Sequence, residues 1–254
     1  MTPISNVATF TPRAGTDVSV IVPIGRRRTD LLALHAAYRE ALAATGRSVE
    51  FIYVVDGNYA DASAAVATLV KSGEPVIGVY LTKFYGESTA LMAGFEQAGG
   101  QVIVTLPAYH QIEPGEVSKL LAALDSADIA VSHRTPRSGG FTERLRRGAF
   151  HAMVGSITAQ KLHDLGCGAR AMKRRGLEEI VLYGDQHRLL PVLADRQGFR
   201  TVEIEVRQSP LDRNEKGYSP KEYLHRLLDV FAVFFLVRFT KRPLRFFGMV
   251  GATL

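Results

Sequence analysis

Residues that could bind a ligand follow three apolar segments in the first half of the chain. Arg26–Arg28 come after VSVIVPI, Asp56 ends EFIYVVD, and Pro107–Gln111 come after VIVT. Arginine is a residue type that holds phosphate oxygens in a bidentate manner. The sequence shows no obvious arrangement of Ser, His and Asp that would indicate an activated nucleophile.

Apolar runs alternate with helical patterns around these residues. Strands are predicted at Val18–Pro23, Glu50–Val55, Val76–Leu81, Val102–Thr105 and Ile129–His133, and helices at Asp30–Ala44, Asp61–Lys71, Glu87–Ala98 and Pro114–Leu124. This order predicts an α/β fold whose mostly parallel sheet is covered on both faces. Ligands of such sheets bind at the carboxyl ends of the strands. We therefore expect the three polar segments to converge there.

The second half of the chain has a less regular pattern. It predicts helices at Glu143–Thr158, His187–Gln197 and Lys221–Thr240, a strand at Thr201–Val206, a loop or short strand at Asp164–Met172, and a polar loop at Gln208–Ser219. Residues 1–16 lack a long apolar run and are predicted to form a loose tail without a signal peptide.

Length and composition bound the class of protein. A chain of 254 residues, 46% of them hydrophobic, fits one large domain or one domain with an appendage. A single cysteine, Cys167, excludes an internal disulfide framework and favours a reducing compartment.

The C-terminal segment, residues 221–254, is basic and aromatic. It holds six Lys or Arg residues against two acidic ones, and six of the 13 phenylalanines. This composition predicts contact with an anionic membrane surface rather than with nucleic acid. Its uncharged run Val230–Val237 is shorter than the ~20 residues that span a bilayer, so it forms either a core helix or, as we prefer, an interfacial one.

The segments 18–28, 50–63, 82–100 and 102–114 together resemble family 2 glycosyltransferases. The resemblance covers roughly residues 17–247 and is strongest to enzymes that move a sugar from a nucleotide to a polyprenyl or dolichyl phosphate. It implies a GT-A fold over residues 17–220, between the tail 1–16 and the membrane-associating segment 221–254. It further implies a nucleotide-sugar donor, a lipid-phosphate acceptor, and a place on the cytoplasmic face of a membrane.

The resemblance fails at the metal-binding positions of the family. Where the family has Asp-x-Asp after this strand, binding Mg²⁺ or Mn²⁺, this chain has Pro107 and Tyr109. Asp56 is retained, but the acidic residue after it is replaced by Gly57. Asp61 remains either as an acidic position of the motif or as the N-cap of the next helix. No cofactor is therefore predicted.

Arginines could replace that metal. The family's Asn-Glu pair after the first strand is Arg26 and Arg27 here, which makes the pocket more positive. We hypothesise that Arg26–Arg28, with Arg213 or Lys216, stabilise the departing diphosphate. His110 and Glu113 alone would make a poor metal site because a third ligand is missing.

The resemblance assigns roles to individual residues. The nucleotide-binding residues are Pro23, Arg26, Arg27, Asp56, Tyr85, Pro107 and Tyr109. The catalytic residues are Gln111, Arg134 and Arg213. The acceptor phosphate contacts Arg134, Arg146, Arg147 and Arg188, and the closing loop contributes Arg213, Lys216 and Ser219. No metal ligands are assigned.

Two functions remain open from the sequence. One is sugar transfer by in-line displacement, in which a lipid phosphate attacks the anomeric carbon and a nucleoside diphosphate leaves. The other is an inactive glycosyltransferase-like protein that binds a nucleotide or lipid, or a membrane partner, because a fold persists when its site is lost.

Overall fold

The computed structural model describes residues 4–8, 15–135, 162–178, 187 and 190–212, with backbone only for residues 4–8 and 196. The strands are β1 (Ile4–Ala8), β2 (Val18–Ile24), β3 (Val49–Asp56), β4 (Val76–Leu81), β5 (Val102–Thr105), β6 (Ile129–Thr135), β7 (Arg170–Lys173) and β8 (Thr201–Arg207). The helices are α1 (Leu31–Ala43), α2 (Ala60–Lys71), α3 (Glu87–Gln97), α4 (Val117–Ala123), α5 (Arg174–Glu178) and α6 (Leu190–Arg196), with a 3₁₀ turn at Pro114–Glu116.

The strands form one sheet in the order β1-β4-β3-β2-β5-β7-β6-β8. Strand β2 pairs in parallel with β3 and β5, β3 with β4, and β6 with β8. Strand β7 runs antiparallel to both β5 and β6, and β1 runs antiparallel to β4. The predicted mostly parallel α/β sheet is confirmed.

Helices cover both faces of the sheet because the central strands are apolar on both sides. On one face, Val20, Tyr53 and other buried residues pack with α1, α2 and α4. On the other face, α3 lies against β2 and β3. A Cβ at Gly94 of α3 would come within 2.5 Å of Ile21 Cγ2, so this close approach requires glycine.

The local signals placed most element boundaries within one or two residues. Strands β4 and β5 have the predicted bounds, and α1 begins after Asp30, whose carboxylate accepts hydrogen bonds from the amides of Leu32 and Ala33 at 2.9 and 3.2 Å. The N-cap of α2 is Tyr59, so the N-cap role considered for Asp61 is wrong.

The prediction of a loose tail at residues 1–16 is wrong for Ile4–Ala8, which pair with β4 as β1. Without β1, strand β4 would be the edge of the sheet. The backbone groups that an edge strand leaves unpaired can bind another strand, and here β1 pairs with them. The predicted helices at Glu143–Thr158 and Lys221–Thr240 lie outside the described residues.

Contacts between residues divide the chain into two compact units. The larger comprises Met1–Arg137 with Asp164–Asp212, and the smaller comprises Ser138–His163 with Arg213–Leu254. Every element named above lies in the larger unit; the smaller is described only at Leu162 and His163. The boundaries predicted at residues 16 and 220 remain predictions. Within the described ranges, we find no helix with the length and apolarity needed to traverse a bilayer.

Candidate functional site

The predicted convergence occurs at the carboxyl ends of β3, β2 and β5, which are neighbours in the sheet. The loop after β2 carries Arg26–Arg28, β3 ends at Asp56, and Pro107 and Tyr109 follow β5. The loops after β2 and β5 are joined by a hydrogen bond of 2.9 Å from the Thr29 amide to the Ala108 carbonyl.

Asp56 organises the loop between β4 and α3. Its buried carboxylate accepts hydrogen bonds from the amides of Tyr85 and Gly86 at 2.7 and 2.9 Å. Burial raises the pKa of Asp56 and Glu87 adds to this rise, while the two amides oppose it. The Tyr85 hydroxyl lies 3.2 Å from Thr82 Oγ1. Asp56 therefore positions the backbone of Tyr85. Both residues were predicted to bind the nucleotide.

The residue after Asp56 has a backbone conformation that suits only glycine. Gly57 has φ +128°, and a Cβ there would lie 3.2 Å from the ring of Tyr59. An aspartate at this position, as in the family pattern, would be strained. The backbone conformation of this loop therefore accounts for glycine, rather than an acidic residue, at position 57.

Arg28 is engaged within the protein. Its Nε and Nη2 donate to the two carboxylate oxygens of Asp61 at 2.9 and 2.8 Å, and its guanidinium lies 4.5 Å from the Tyr59 ring centroid. This bidentate pair occupies the face of Arg28 that would hold a phosphate.

Arg27 is fixed on two sides but remains 43% exposed. Its Nη2 donates to Asp212 at 2.7 Å, and its guanidinium lies 3.7 Å from the centroid of the Tyr109 ring. The cation is therefore held at the end of β5 by stacking and charge together. Arg26 is exposed, and within the described ranges no ion pair of Arg26 is found.

The residues after β5 do not fit a divalent metal ion. Pro107 is buried and offers no side-chain ligand. Burial raises the pKa of Tyr109 to about 12, so its phenol is neutral near pH 7. Mg²⁺ and Mn²⁺ prefer carboxylate, carbonyl and water oxygens, and the Arg27 cation lies against the same ring. Glu113 pairs instead with Arg207 at 3.2 Å.

Gln111 joins the loop after β5 to the segment before β7. Its buried Oε1 accepts a hydrogen bond from the Gly168 amide at 2.8 Å and one from Cys167 Sγ at 3.3 Å. Its Nε2 donates to the Tyr109 hydroxyl at 3.0 Å. These contacts give Gln111 a positioning role, whereas the catalytic role assigned to it remains a prediction.

Arg134, at the end of β6, is buried between two carboxylates. Its Nε and Nη2 donate to Asp164 at 2.7 and 3.0 Å, and its Nη1 donates to Asp212 at 3.1 Å. Burial alone would lower the pKa of Arg134, but Asp164 and Asp212 outweigh it and raise the pKa. The guanidinium is always charged, yet it already has its counterions.

Asp212 was not among the site residues predicted from the sequence. Its carboxylate, only 5% exposed, accepts hydrogen bonds from Arg27, Arg134 and, at 2.7 Å, Gln208. Arg27, Asp212, Arg134 and Asp164 thus form a chain of alternating charges. No local signal could reveal it, because 185 positions separate Arg27 from Asp212.

Glu87 and His187 were also missed. Glu87 is acidic, so the pocket is less positive than its arginines alone indicate. It lines a cleft with Pro23, Leu106, Gly168 and the buried His187. The other assigned residues, Arg146, Arg147, Arg188, Arg213, Lys216 and Ser219, lie outside the described residues.

Comparison with known proteins gives matches along most of the chain. The profile described as "Glycosyl transferase family 2" matches residues 19–181. An undecaprenyl-phosphate 4-deoxy-4-formamido-L-arabinose transferase of Pseudomonas aeruginosa (strain LESB58) is 30% identical over 237 residues, covering 92% of this chain and 68% of that protein. The protein of the same name from Aeromonas hydrophila is 26% identical, with 93% and 72% covered.

Solved structures show the same fold at low identity. Glucosyl-3-phosphoglycerate synthase from Mycobacterium tuberculosis, in complex with Mn²⁺ and UDP-glucose, has a TM-score of 0.62 at 18% identity, covering 87% of this chain and 79% of that one. A mannosyltransferase from Pyrobaculum calidifontis, in complex with GDP-mannose and Mn²⁺, has a TM-score of 0.54 at 15% identity, with 93% and 73% covered.

Proposed function

Because the chain belongs to glycosyl transferase family 2 and has the GT-A fold, we propose that it transfers a sugar from a nucleoside diphosphate to a polyprenyl-phosphate-type lipid without a divalent metal ion. That it is a glycosyltransferase follows from the family and its relatives. The lipid acceptor is supported by relatives named as undecaprenyl-phosphate transferases. The donor class is supported by fold neighbours that bind UDP-glucose or GDP-mannose.

The acceptor chemistry needs no strong base. A phosphate monoester has a second pKa of about 6, so it is largely ionised at neutral pH and can attack the anomeric carbon directly. The demanding part of the reaction is the negative charge that develops on the leaving diphosphate. Enzymes stabilise such charge with metal ions or with fixed cations and amides.

The observation that carries the metal-independent part is the Arg27–Tyr109 contact at the end of β5, where the family pattern has metal ligands. A guanidinium held by a ring on one side and by Asp212 on another is preorganised. Its exposed portion can meet a diphosphate oxygen, and Arg26 adds a second exposed cation. A diphosphate competes with Asp212 for the donors of Arg27 because both are anionic oxygen acceptors.

The remaining roles belong to the same proposal. Arg213, Lys216 and Ser219 would close over the diphosphate, while Arg134, Arg146, Arg147 and Arg188 would hold the acceptor phosphate. The basic segment 221–254 would bring the enzyme to the membrane surface that contains the acceptor.

Turnover in the presence of a chelator tests the proposal. The full chain is incubated with undecaprenyl phosphate in detergent and a panel of UDP- and GDP-sugars, and release of the nucleoside diphosphate is measured with EDTA or with Mn²⁺. We expect lipid-dependent release at equal rates in both. Loss of activity with EDTA that Mn²⁺ restores would refute metal independence, and release without lipid dependence would refute the acceptor.

Replacing Arg27 tests the role of the fixed guanidinium. We expect Arg27→Gln to lower kcat at least about tenfold, because charge stabilisation in the transition state is lost. The control is Arg47→Gln, which lies just before β3, at the amino end of this strand, whereas the candidate site lies at the carboxyl ends. Unchanged turnover of Arg27→Gln would remove Arg27 from the mechanism.

A further inference from the structure

A carboxylate held by a buried histidine lies in the cleft beside the candidate site. Glu87 Oε2 is 3.2 Å from His187 Nε2, and the Glu87 side chain is 40% exposed whereas that of His187 is 5% exposed. Glu87 is the first residue of α3, directly after the amides that bind Asp56. The pair therefore combines a fixed anchor inside the protein with a carboxylate that faces the cleft.

His187 is itself immobilised by three contacts. The Ser88 hydroxyl lies 3.1 Å from Nδ1 of the ring and accepts a hydrogen bond of 3.1 Å from the His187 amide. The carbonyl of His187 accepts a hydrogen bond from the buried Arg170. If the Ser88 hydroxyl donates to Nδ1, the proton on Nε2 is directed at Glu87. One tautomer thus satisfies all of these contacts.

The cleft lies next to the strand ends that form the candidate site. Its lining includes Pro23 at the end of β2, Leu106 after β5, and Gly168 before β7. Gly168 is bound to Gln111, which in turn is bound to Tyr109. Pro23 is one of the residues to which the nucleotide is assigned, so the cleft that Glu87 lines borders that group of residues.

The charge of Glu87 limits what it can bind. A carboxylate repels a diphosphate, and it raises the pKa of Asp56, so it would weaken binding if the diphosphate lay against it. Hydroxyl groups are hydrogen-bond donors, and a carboxylate has about four lone-pair positions, so it can accept from several donors at once. Hydrogen bonds to a charged acceptor are about twice as strong as neutral ones.

Resting on the proposed function, we infer that Glu87, positioned by His187, accepts hydrogen bonds from hydroxyl groups of the transferred sugar and so selects the donor. His187 is a positioning residue, because it acts through Glu87. The ribose hydroxyls are the other source of the same chemistry, and the comparison of sugar-bearing and sugar-free nucleotides separates the two.

Calorimetric titration of the full chain tests this inference. Wild type, Glu87→Gln and the control Glu96→Gln, an exposed position on the same helix, are titrated with UDP-glucose, UDP, GDP-mannose and GDP. We expect Glu87→Gln to bind the preferred nucleotide sugar about tenfold more weakly and its free nucleoside diphosphate equally well. Glu96→Gln should match wild type for all ligands.

A second variant tests the positioning role. His187→Asn should weaken binding of the nucleotide sugar without affecting the nucleoside diphosphate, and adding it to Glu87→Gln should cause little further loss, because both act on one contact. Thermal unfolding of each variant shows whether the fold persists. Independent losses from the two substitutions would overturn the positioning role.

The outcomes separate this inference from the proposed function. If Glu87→Gln weakens the binding of UDP and of UDP-glucose equally, the contact is with the nucleoside diphosphate, and the assignment to the sugar is overturned. No effect on either ligand, or a wild type that gains no affinity from any attached sugar, would also overturn it. A wild type that binds no nucleotide at all would instead refute the proposed function.

Discussion

At the scale of residues, the site is governed by pairing of charges. The sequence predicted a strongly positive pocket from Arg26–Arg28, but Arg28 is bound to Asp61 and Arg27 to Asp212. Arg134 shares Asp212 and also holds Asp164. Buried or half-buried cations require counterions because desolvation is costly. The affinity of the site for a diphosphate therefore depends on how easily the diphosphate displaces these carboxylates from the arginines.

Asp212 should restrain anion binding while it stabilises the fold. We expect Asp212→Asn to bind UDP several-fold more tightly at low salt, because two guanidinium groups lose a shared counterion. The free energy of unfolding should fall by about 1–3 kcal/mol, since buried Arg134 keeps only Asp164. Calorimetry at two salt concentrations and urea denaturation measure the two effects.

The control for this substitution is Asp125→Asn at an exposed position after α4, which should change neither quantity. Weaker UDP binding by Asp212→Asn at unchanged stability would contradict competition and indicate that Asp212 orients Arg27 for the ligand.

At the scale of elements, the antiparallel strand β7 brings the second half of the chain to the site. Because β7 runs opposite to β5, its first residue, Arg170, lies beside Thr105, the last residue of β5. The segment before β7 therefore reaches the carboxyl end of β5. There Thr105 Oγ1 donates to the Gly168 carbonyl at 2.7 Å, and Gln111 binds the Gly168 amide.

A buried carboxylate similarly ties the turn after β5 to the far strand of the sheet. Glu116 accepts from Lys119 Nζ at 2.5 Å and from Arg207 Nε, at the end of β8, at 3.0 Å. Burial would raise the pKa of Glu116, but these hydrogen bonds outweigh it and lower the pKa below its ordinary 4.5. A lowered carboxylate pKa contributes stability above the ordinary value, and this is lost as pH falls through the folded value.

We therefore expect Glu116→Gln to reduce the free energy of unfolding at pH 7 by about 1–2 kcal/mol, with a difference from wild type that shrinks as pH falls below 4.5. Urea denaturation at pH 7 and at pH 3 measures it. Glu40→Gln, at an exposed position of α1, is the control. A difference that grows toward pH 3 would contradict the pairing.

At the scale of the whole molecule, the family, the GT-A fold and the relatives agree on sugar transfer, while the membrane role rests on composition. The profile covers residues 19–181, and the similarity to undecaprenyl-phosphate transferases covers 92% of the chain. The basic segment 221–254 lies outside the described residues. Its role is tested best in the intact chain.

We expect the full chain to co-sediment with vesicles that contain anionic lipid, and less so at high salt. Replacing Lys241, Arg242 and Arg245 by Gln should weaken this binding by about 1 kcal/mol per cation. A triple replacement of Arg47, Lys71 and Arg200 by Gln is the matched control. Equal binding by the two triple variants would place the membrane contact elsewhere.

Local patterns accounted for most of the fold. Strands β4 and β5 were predicted with the correct bounds and the start of α1 within one residue, because apolar runs and capping residues act over a few positions. Strand β1 was not predicted because it forms only by pairing with β4, which lies about seventy positions away along the chain. The carboxyl-end location of the site followed from strand order alone.

The amino-acid sequence by itself determined the family, the parallel sheet, and the absence of carboxylates at Pro107 and Tyr109. Only the tertiary structure decided which charges meet. It paired Arg27 with Asp212 and Glu87 with His187, residues that are distant along the chain. Electrostatic energy depends on distance and burial in space, and neither can be read from spacing along the chain.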